Sequence, residues 1–216
     1  MNTEKVEWHS EILPQGALGI LSNLSGILAS SHFYLAGGTG LALLLGHRKS
    51  HDLDFFNLDL FNEEALIQSM QSLNNLTIVA KDRHTLHIVL ENIKVSFIGY
   101  NFPLLFQKKF FLSETGISFE IADEKDIACM KISAISSRGT KRDFIDLYMV
   151  AKQYSLLELF NLFKQKFSMT PYNNVHILKS LTYFADADIE PIPEMLIPIS
   201  WESVKQFFIT ETPKLL

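Results

Sequence analysis

The sequence predicts an α+β fold, in which a mixed β-sheet flanked by helices is followed by a helical C-terminal part. Up to residue 121, short apolar runs of strand length alternate with segments of helical periodicity, whereas later residues show only helical patterns. Hydrophobic residues make up 47% of the 216 residues and include 17 Phe, enough to bury a sizeable core. We therefore expect a core of residues 1–121, with a helical region of residues 122–216 packed on it.

The elements of the first part follow from periodicity and from capping residues. Glu91-Asn92 separates two strand-length runs and is typical of a hairpin turn. In order, we predict a helix over 11–31, a strand over 33–36, a helix that starts at 41–45, a strand over 52–56, a helix from Asn62 to about Leu73, and strands over 76–80, 86–90, 93–98 and 117–121.

The second part has clear helix starts. Asp123 and Thr140 are each suited to cap a helix, and Ser155 with Glu158 forms a capping box. The predicted helices run from Asp123 to about Ser136, from Thr140 to about Tyr154, from Ser155 through Phe167, from Pro171 to about Phe184, and over 201–209, with an irregular proline-rich crossing at 186–200.

Residues 36–56, AGGTGLALLLGHRKSHDLDFF, carry the most information about function. Gly37 and Gly38 connect a buried strand to a helix, and such a corner lets the backbone approach a ligand and direct amide N–H groups at it. Asp52 and Asp54 are two residues apart on a predicted strand, so both carboxylates lie on the same face. Paired carboxylates suit Mg²⁺, which takes one or two carboxylates together with substrate phosphates. The pattern predicts a site for a nucleotide and a metal, although each short motif alone also fits a plain turn or an acidic loop.

In order and spacing, this stretch resembles the signature of the polymerase-β-like nucleotidyltransferase superfamily. The wording LAGGTGLALLLGHRKSHDLDFF is similar to that of the AbiEii/AbiGii-type toxin nucleotidyltransferases. A second block, IACMKISAISSRGTKRDFIDLYMVAK at 127–152, resembles the Lys-containing helix and the Lys-Arg-Asp-x-x-Asp helix of that family. The resemblance spans roughly residues 30–155 and implies a polymerase-β-like nucleotidyltransferase core.

The resemblance also implies roles for individual residues of the first block. Asp52 and Asp54 are expected to hold Mg²⁺ and to be catalytic, while Gly37, Gly38 and Thr39 contact the nucleotide phosphates. Two further nucleotide-binding candidates precede the Asp strand, Arg48 and Ser50. An ordinary role in the loop is the alternative for Arg48.

In the second block, Lys131, Asp143 and Asp146 are the catalytic candidates that the resemblance implies. We expect Asp143 or Asp146 to approach the Asp pair or to hold Lys131 towards it, the alternative being a lysine that reaches solvent and charges on a helix surface. Ser96 stands on the strand where the superfamily often has a third acid, and a hydroxyl cannot replace a carboxylate as a base or a strong Mg²⁺ ligand.

Composition limits the location and the partners. The net charge of −5 gives no overall basic footprint for nucleic acid. With one cysteine there is no intrachain disulfide, and no signal peptide or membrane-spanning run is evident, so we expect a cytoplasmic protein without a membrane partner.

Two functions remain open. The first is Mg²⁺-dependent transfer of a nucleoside monophosphate from an NTP to a hydroxyl of RNA, with tRNA implied by the family, or of protein. The protein would then act as a toxin with an antitoxin partner. The second is a catalytically degenerate fold that binds a nucleotide or a partner, which Ser96 favours.

Overall fold

The computed structural model describes residues 7–216, which form two compact units. The first unit comprises the described residues up to Pro103 together with Gln107–Ala122. The second comprises Leu104–Phe106 together with Asp123–Leu216. No helix among the described residues combines the length and the apolar character needed to cross a bilayer.

The first unit contains a mixed sheet with helices, as the sequence predicts. Its helices are α1 (Ala17–Ser30), α2 (Gly37–Leu45) and α3 (Glu63–Ser69). Its strands are β1 (Tyr34–Leu35), β2 (Leu53–Asn57), β3 (Leu76–Asp82), β4 (Thr85–Leu90), β5 (Ile93–Gly99), β6 (Lys109–Leu112) and β7 (Ser118–Ile121).

The seven strands form one sheet in the order β3-β4-β5-β2-β1-β7-β6. The pairs β2 with β5 and β1 with β7 are parallel, whereas the remaining neighbours are antiparallel. The parallel pairing of β2 with β5 brings two strands that are distant in the sequence side by side near the middle of the sheet. This pairing fixes which residues can share a site with the strand that carries the Asp-x-Asp motif.

One face of the central strands is apolar and forms the core of the first unit. Leu53 and Phe55 of β2 are fully buried, as are Leu86 of β4 and Val95 and Phe97 of β5. They belong to a buried cluster that also includes apolar residues of α1 and α3. Because side chains alternate along a strand, the residues between them point to the opposite face, where the polar side chains of the candidate site lie.

The second unit is helical, in agreement with the sequence. Its helices are α4 (Glu124–Ser137), α5 (Lys141–Ala151), α6 (Leu156–Lys166), α7 (Asn174–Ser180), α8 (Ala185–Asp188) and α9 (Trp201–Glu211). The predicted caps are confirmed: the side chains of Asp123, Thr140 and Ser155 accept hydrogen bonds from backbone amides in the first turns of α4, α5 and α6.

Helix α4 packs against α5, α6 and α7 and is the centre of this unit. Asp126 of α4 accepts a 2.8 Å hydrogen bond from Lys166 Nζ and further bonds from the backbone amides of Leu105 and Phe106. This buried pair attaches residues 104–106 to the helices. Burial raises the pKa of the Cys129 thiol to about 12, so it stays protonated and acts as a small apolar group.

Several sequence predictions of local structure were wrong. Helix α2 begins at Gly37 and not at Leu41, and α8 (Ala185–Asp188) lies at the start of the predicted irregular crossing. The predicted helix over 11–31 is a short 3-10 turn at Ser10–Ile12 followed by α1, because Gly16 adopts a left-handed conformation and breaks the run. Strand β6 was missed. Its exposed residues Phe110 and Leu112 are as apolar as the buried Phe111, so apolar and polar residues do not alternate along it.

Candidate active site

Asp52 and Asp54 lie at the start of β2 on the side of the sheet that faces away from the core. Asp52 immediately precedes the strand and Asp54 is its second residue. Both aspartates are half-buried. Leu53, which lies between them, and Phe55, which follows Asp54, are fully buried. The alternation therefore leaves both carboxylates on the accessible side, with the apolar residues holding the strand in place.

The glycine pair forms the first turn of α2 and lies directly beside Asp54. Gly37 has a φ of +63°, and a Cβ there would lie 3.2 Å from Asp54 Oδ2. The Ala36 amide donates a 3.1 Å hydrogen bond to the Asp54 carbonyl, which ties the start of the helix to β2. The first amides of an α-helix have no partner within the helix and attract anions. An anion bound at the start of α2 would thus be adjacent to a carboxylate.

Arg48 lies behind the second glycine. A Cβ at Gly38 would overlap Arg48 Nη2, so a side chain at this position would have to displace the guanidinium. Arg48 is buried, and its Nη1 donates a 3.0 Å hydrogen bond to the Lys49 carbonyl. The Arg48 guanidinium is therefore a close neighbour of Gly38.

Thr39 and Ser50 connect α2 to the segment that leads into β2. The two hydroxyl oxygens are 2.7 Å apart, and the Thr39 hydroxyl also bonds to the Asp52 carbonyl. A hydroxyl has a single proton, so Thr39 can donate to the carbonyl while Ser50 donates to Thr39. Both residues are buried. Their hydroxyls therefore position the backbone of Asp52.

Ser96 of β5 and His87 of β4 continue the line of side chains that starts at Asp54. Asp54 pairs in register with Ser96, and Ser96 pairs in register with His87. The His87 Nδ1 atom lies 3.0 Å from Ser96 Oγ. Residues in register on neighbouring strands point to the same face of a sheet. The face that carries Asp54 therefore also carries the hydroxyl of Ser96 and the imidazole of His87. Ser96 is the position at which the resemblance leads one to expect a third acid.

Sequence reasoning did not single out His87 as a site residue, although a signal was present. The predicted two-residue turn at Glu91-Asn92 fixes the register of β4 against β5 and thereby pairs His87 with Ser96. The pairing of β2 with β5, which adds Asp54 to this line, carries no comparable local signal.

Lys131, Asp143 and Asp146 come together in the second unit. Lys131 Nζ lies 2.9 Å from Asp143 Oδ1 and 2.6 Å from Asp146 Oδ2, and all three residues are buried. Thr140 and Arg138 also donate hydrogen bonds to Asp143. Burial alone would raise the pKa of Asp143, but the charge of Lys131 and the bonds from Arg138 and Thr140 lower it to about 2. These residues form one ionic network between α4 and α5.

The donor set for a metal consists of two carboxylates. Among residues 7–216 there is no cluster of three or more His, Cys, Asp or Glu side chains arranged to hold a metal ion. Asp52 and Asp54 beside the start of α2 nevertheless fit Mg²⁺, because this ion commonly takes one or two carboxylates and completes its shell with substrate phosphates and water. The donor set therefore suits a metal that is bound together with a nucleotide.

A mixed sheet with a glycine-started helix beside an Asp-x-Asp strand defines the class of nucleotidyltransferases, and comparison with known proteins agrees. The family model of the nucleotidyl transferase AbiEii toxin, of type IV toxin-antitoxin systems, matches residues 19–102. An uncharacterized protein of Aquifex aeolicus (strain VF5) is 38% identical over 180 residues, which are 82% of this chain and 84% of the relative. The chain belongs to the AbiEii nucleotidyltransferase toxin family.

Solved structures show the same fold at low sequence identity. The nucleotidyltransferase toxin MenT4 from Mycobacterium tuberculosis H37Rv superposes with a TM-score of 0.58 at 15% identity, covering 92% of this chain and 85% of that one. The antibiotic-resistance factor ANT(2'')-Ia gives a TM-score of 0.51 at 8% identity, covering 71% of this chain and 92% of that one. The predicted α+β nucleotidyltransferase fold is confirmed.

Proposed function

We propose that this toxin-family nucleotidyltransferase transfers a nucleoside monophosphate from an NTP to a hydroxyl group of RNA, with tRNA as the first candidate, and that Mg²⁺ is required. A protein hydroxyl is the second acceptor to test. The observation that carries the proposal is the contact between Gly37 and Asp54. It places the start of a nine-residue helix, where phosphate binds well, beside a carboxylate suited to Mg²⁺.

The candidate site residues of the first unit divide into those that bind the nucleotide or the metal and those that support the backbone of the binding residues. Gly37 and Gly38 present backbone amides to the phosphates, and Asp52 and Asp54 hold the metal. Arg48, Thr39 and Ser50 are buried, so we assign them to shaping the phosphate site through Gly38 and the Asp52 backbone. This assignment replaces direct phosphate contact by the Thr39 hydroxyl, since that hydroxyl is already bonded to the protein.

The reaction needs alignment and charge neutralisation more than covalent help from the protein. The acceptor oxygen attacks the α-phosphorus, the bond from that phosphorus to the bridging oxygen breaks, and pyrophosphate leaves. When bound, Mg²⁺ would supply positive charge against the phosphate oxygens. The amides at the start of α2 would hold the phosphates in line for the attack.

The network of Lys131, Asp143 and Asp146 has a structural role that follows from its burial. Together with Arg138, Lys131 balances the charges of Asp143 and Asp146 within the second unit, and removing Lys131 would leave an uncompensated buried charge. A catalytic role for these three residues stays a prediction. The test of a catalytic role is a variant such as Lys131→Met, which should lose transfer activity while it remains folded at the assay temperature.

Family membership supports two further proposals. We propose that an antitoxin protein accompanies this chain, because the matching family belongs to toxin-antitoxin systems. We also propose that the protein acts in the cytoplasm, where NTPs and tRNA are available and a single buried thiol stays reduced.

The direct test is label transfer from each of the four α-³²P-labelled NTPs, with purified tRNA, total RNA and total protein as separate acceptors and with or without Mg²⁺. We expect Mg²⁺-dependent labelling of an RNA band by wild type and no labelling by Asp54→Asn. Labelling of protein alone would replace RNA as the acceptor. NTP binding without labelling of any acceptor would favour the degenerate, nucleotide-binding alternative.

A further inference from the structure

The attacking hydroxyl must lose a proton during transfer, and the proposed roles leave no carboxylate of the Asp pair to accept it. Asp52 and Asp54 are assigned to the metal. A group that accepts the proton must lie on the same face of the sheet and must be a side chain that can carry a lone pair. This requirement directs attention to the polar side chains on the strands next to β2.

His87 meets both conditions. It is in register with Ser96, which is in register with Asp54, so the three side chains lie in a row across β4, β5 and β2. Neighbouring strands are about 4.8 Å apart, which puts the His87 backbone about 10 Å from that of Asp54. The His87 ring is half-buried and thus partly accessible.

Ser96 is the hydrogen-bond partner of this ring. Its Oγ lies 3.0 Å from His87 Nδ1, and within the described chain this is the ring's only hydrogen bond. If Nδ1–H donates to Ser96, the neutral ring has its lone pair on Nε2. The same division of labour, with one ring nitrogen held by a partner and the other acting as the base, operates in serine hydrolases.

We propose that His87 is the catalytic base of the transfer reaction and that Ser96 is its positioning residue. This inference rests on the proposed function. The acceptor oxygen forms its bond to the α-phosphorus, pyrophosphate leaves with the electron pair of the broken P–O bond, and the acceptor proton moves to His87 Nε2. Solvent or the departing pyrophosphate then takes up the proton.

Several charged residues lie on the same face of the sheet as His87. On the same face, Asp52 and Asp54 belong to the β2 segment, Lys94 to β5, and Asp82 to β3. The other residues of β4 on this face, Thr85 and Val89, are not ionisable. An imidazolium has no lone pair left to accept a proton, so an imidazole base is inactive once it is protonated.

The first test is the pH dependence of transfer by the full-length chain. We expect wild-type kcat to fall with acid, because an imidazole base must be neutral to accept a proton. His87→Gln should lower kcat by about 10²-fold or more, change KM for the NTP far less, and remove the fall of kcat with acid. Ser96→Ala should give a smaller loss of kcat. His32→Asn is the matched control, because His32 is an exposed histidine in a left-handed turn that asparagine adopts readily.

The second test is a rescue. In the double variant His87→Gln with Ser96→Asp, a carboxylate lies beside Asp54 by the register of β2 with β5. We expect it to restore much of the lost kcat without restoring the fall of kcat with acid near neutral pH. A double variant that is folded and remains as inactive as His87→Gln would contradict the idea that the row supplies a base.

The third test does not depend on activity. Nitrogen-15 NMR of histidine-labelled full-length protein near pH 8 should show the His87 tautomer with the proton on Nδ1, and Ser96→Ala should reduce its population. A ring protonated on Nε2 in the wild type would overturn the proposal, even if His87→Gln failed to fold. A fully active His87→Gln would overturn this inference alone, whereas wild type that transfers to no acceptor would overturn the proposed function.

Discussion

A Cβ at position 37 would lie 3.2 Å from Asp54 Oδ2, so the first residue of α2 and the carboxylate of β2 are direct neighbours. The backbone of Gly37 occupies the left-handed region with a φ of +63°, which costs a glycine little and other residues more. Two independent constraints thus require glycine at this position. The candidate phosphate site and the candidate metal ligand are joined by this contact.

We predict that Asp52→Asn and Asp54→Asn each abolish transfer without unfolding the protein. Each change removes a charge that a cation needs, and without metal it relieves the repulsion between two neighbouring carboxylates. Label transfer and thermal unfolding measured without metal check both parts, and we expect an unchanged or slightly raised Tm. Asp59→Asn, an exposed residue after β2, is the control. Normal Mg²⁺-dependent transfer by both variants would show that the site is assigned to the wrong residues.

We predict that Gly37→Ala lowers both stability and activity. The left-handed backbone should cost about 1–2 kcal/mol in the free energy of unfolding, and the new Cβ should push the Asp54 carboxylate aside. Gly116→Ala separates the two effects, because Gly116 also has a positive φ, of +83°, but a Cβ there would meet no atom within 4 Å. Denaturant unfolding should show similar losses for the two variants, and only Gly37→Ala should lose transfer activity. Equal activity of the two would argue against the role of this contact.

We predict that Gly38→Val weakens NTP binding more than it weakens folding. The structure adds a specific reason, because the new side chain must displace Arg48 Nη2 from a position only 2.4 Å away. Replacing Arg48 by Ala should remove the clash, so Gly38→Val should cost less NTP affinity in an Arg48→Ala background. Gly19→Ala in α1, where a Cβ meets no atom within 4 Å, is the control for a glycine in a helix. Unchanged NTP affinity in folded Gly38→Val would count against the phosphate site at α2.

We predict that Lys131→Met destabilises the protein by about 3–5 kcal/mol, because it leaves two buried carboxylates without their shared cation. Arg138→Ala should cost much less, since 64% of that side chain is exposed and its ion pair is screened by solvent. Urea unfolding monitored by circular dichroism measures both. Similar losses for the two variants would show that Lys131 is not the centre of the network.

We predict an acid-sensitive contribution to stability from Asp143. Its pKa is lowered to about 2 in the folded protein, so its contribution is fully present above the ordinary value of 3.8 and is lost as the pH falls towards 2. The difference corresponds to about 2 kcal/mol. Asp143→Asn should unfold more easily than wild type near neutral pH, and this difference should shrink between about pH 4 and pH 2. A difference that stays constant over that range would contradict the lowered pKa.

The sequence alone predicted the features that depend on neighbouring residues. The helix starts at Asp123, Thr140 and Ser155 follow from side chains that bond to amides two or three residues away. The burial alternation around Asp54 follows from the two-residue period of a strand. Such features can be predicted because they depend on sterics and hydrogen bonds between residues that are close in the sequence.

Only the tertiary structure decided which distant residues meet. The parallel pairing of β2 with β5 brings Ser96 beside Asp54, and the packing of α4 against α5 and α6 creates the buried partners of Lys131 and Lys166. Strand β6 was missed because apolar and polar residues do not alternate along it. The neighbour of each strand and helix is selected by the packing of the whole core, which no local pattern encodes. For the same reason, the sequence with its family resemblance indicated that Ser96 stands where the superfamily often has an acid. The fold was needed to place His87 and Ser96 in one row with Asp54.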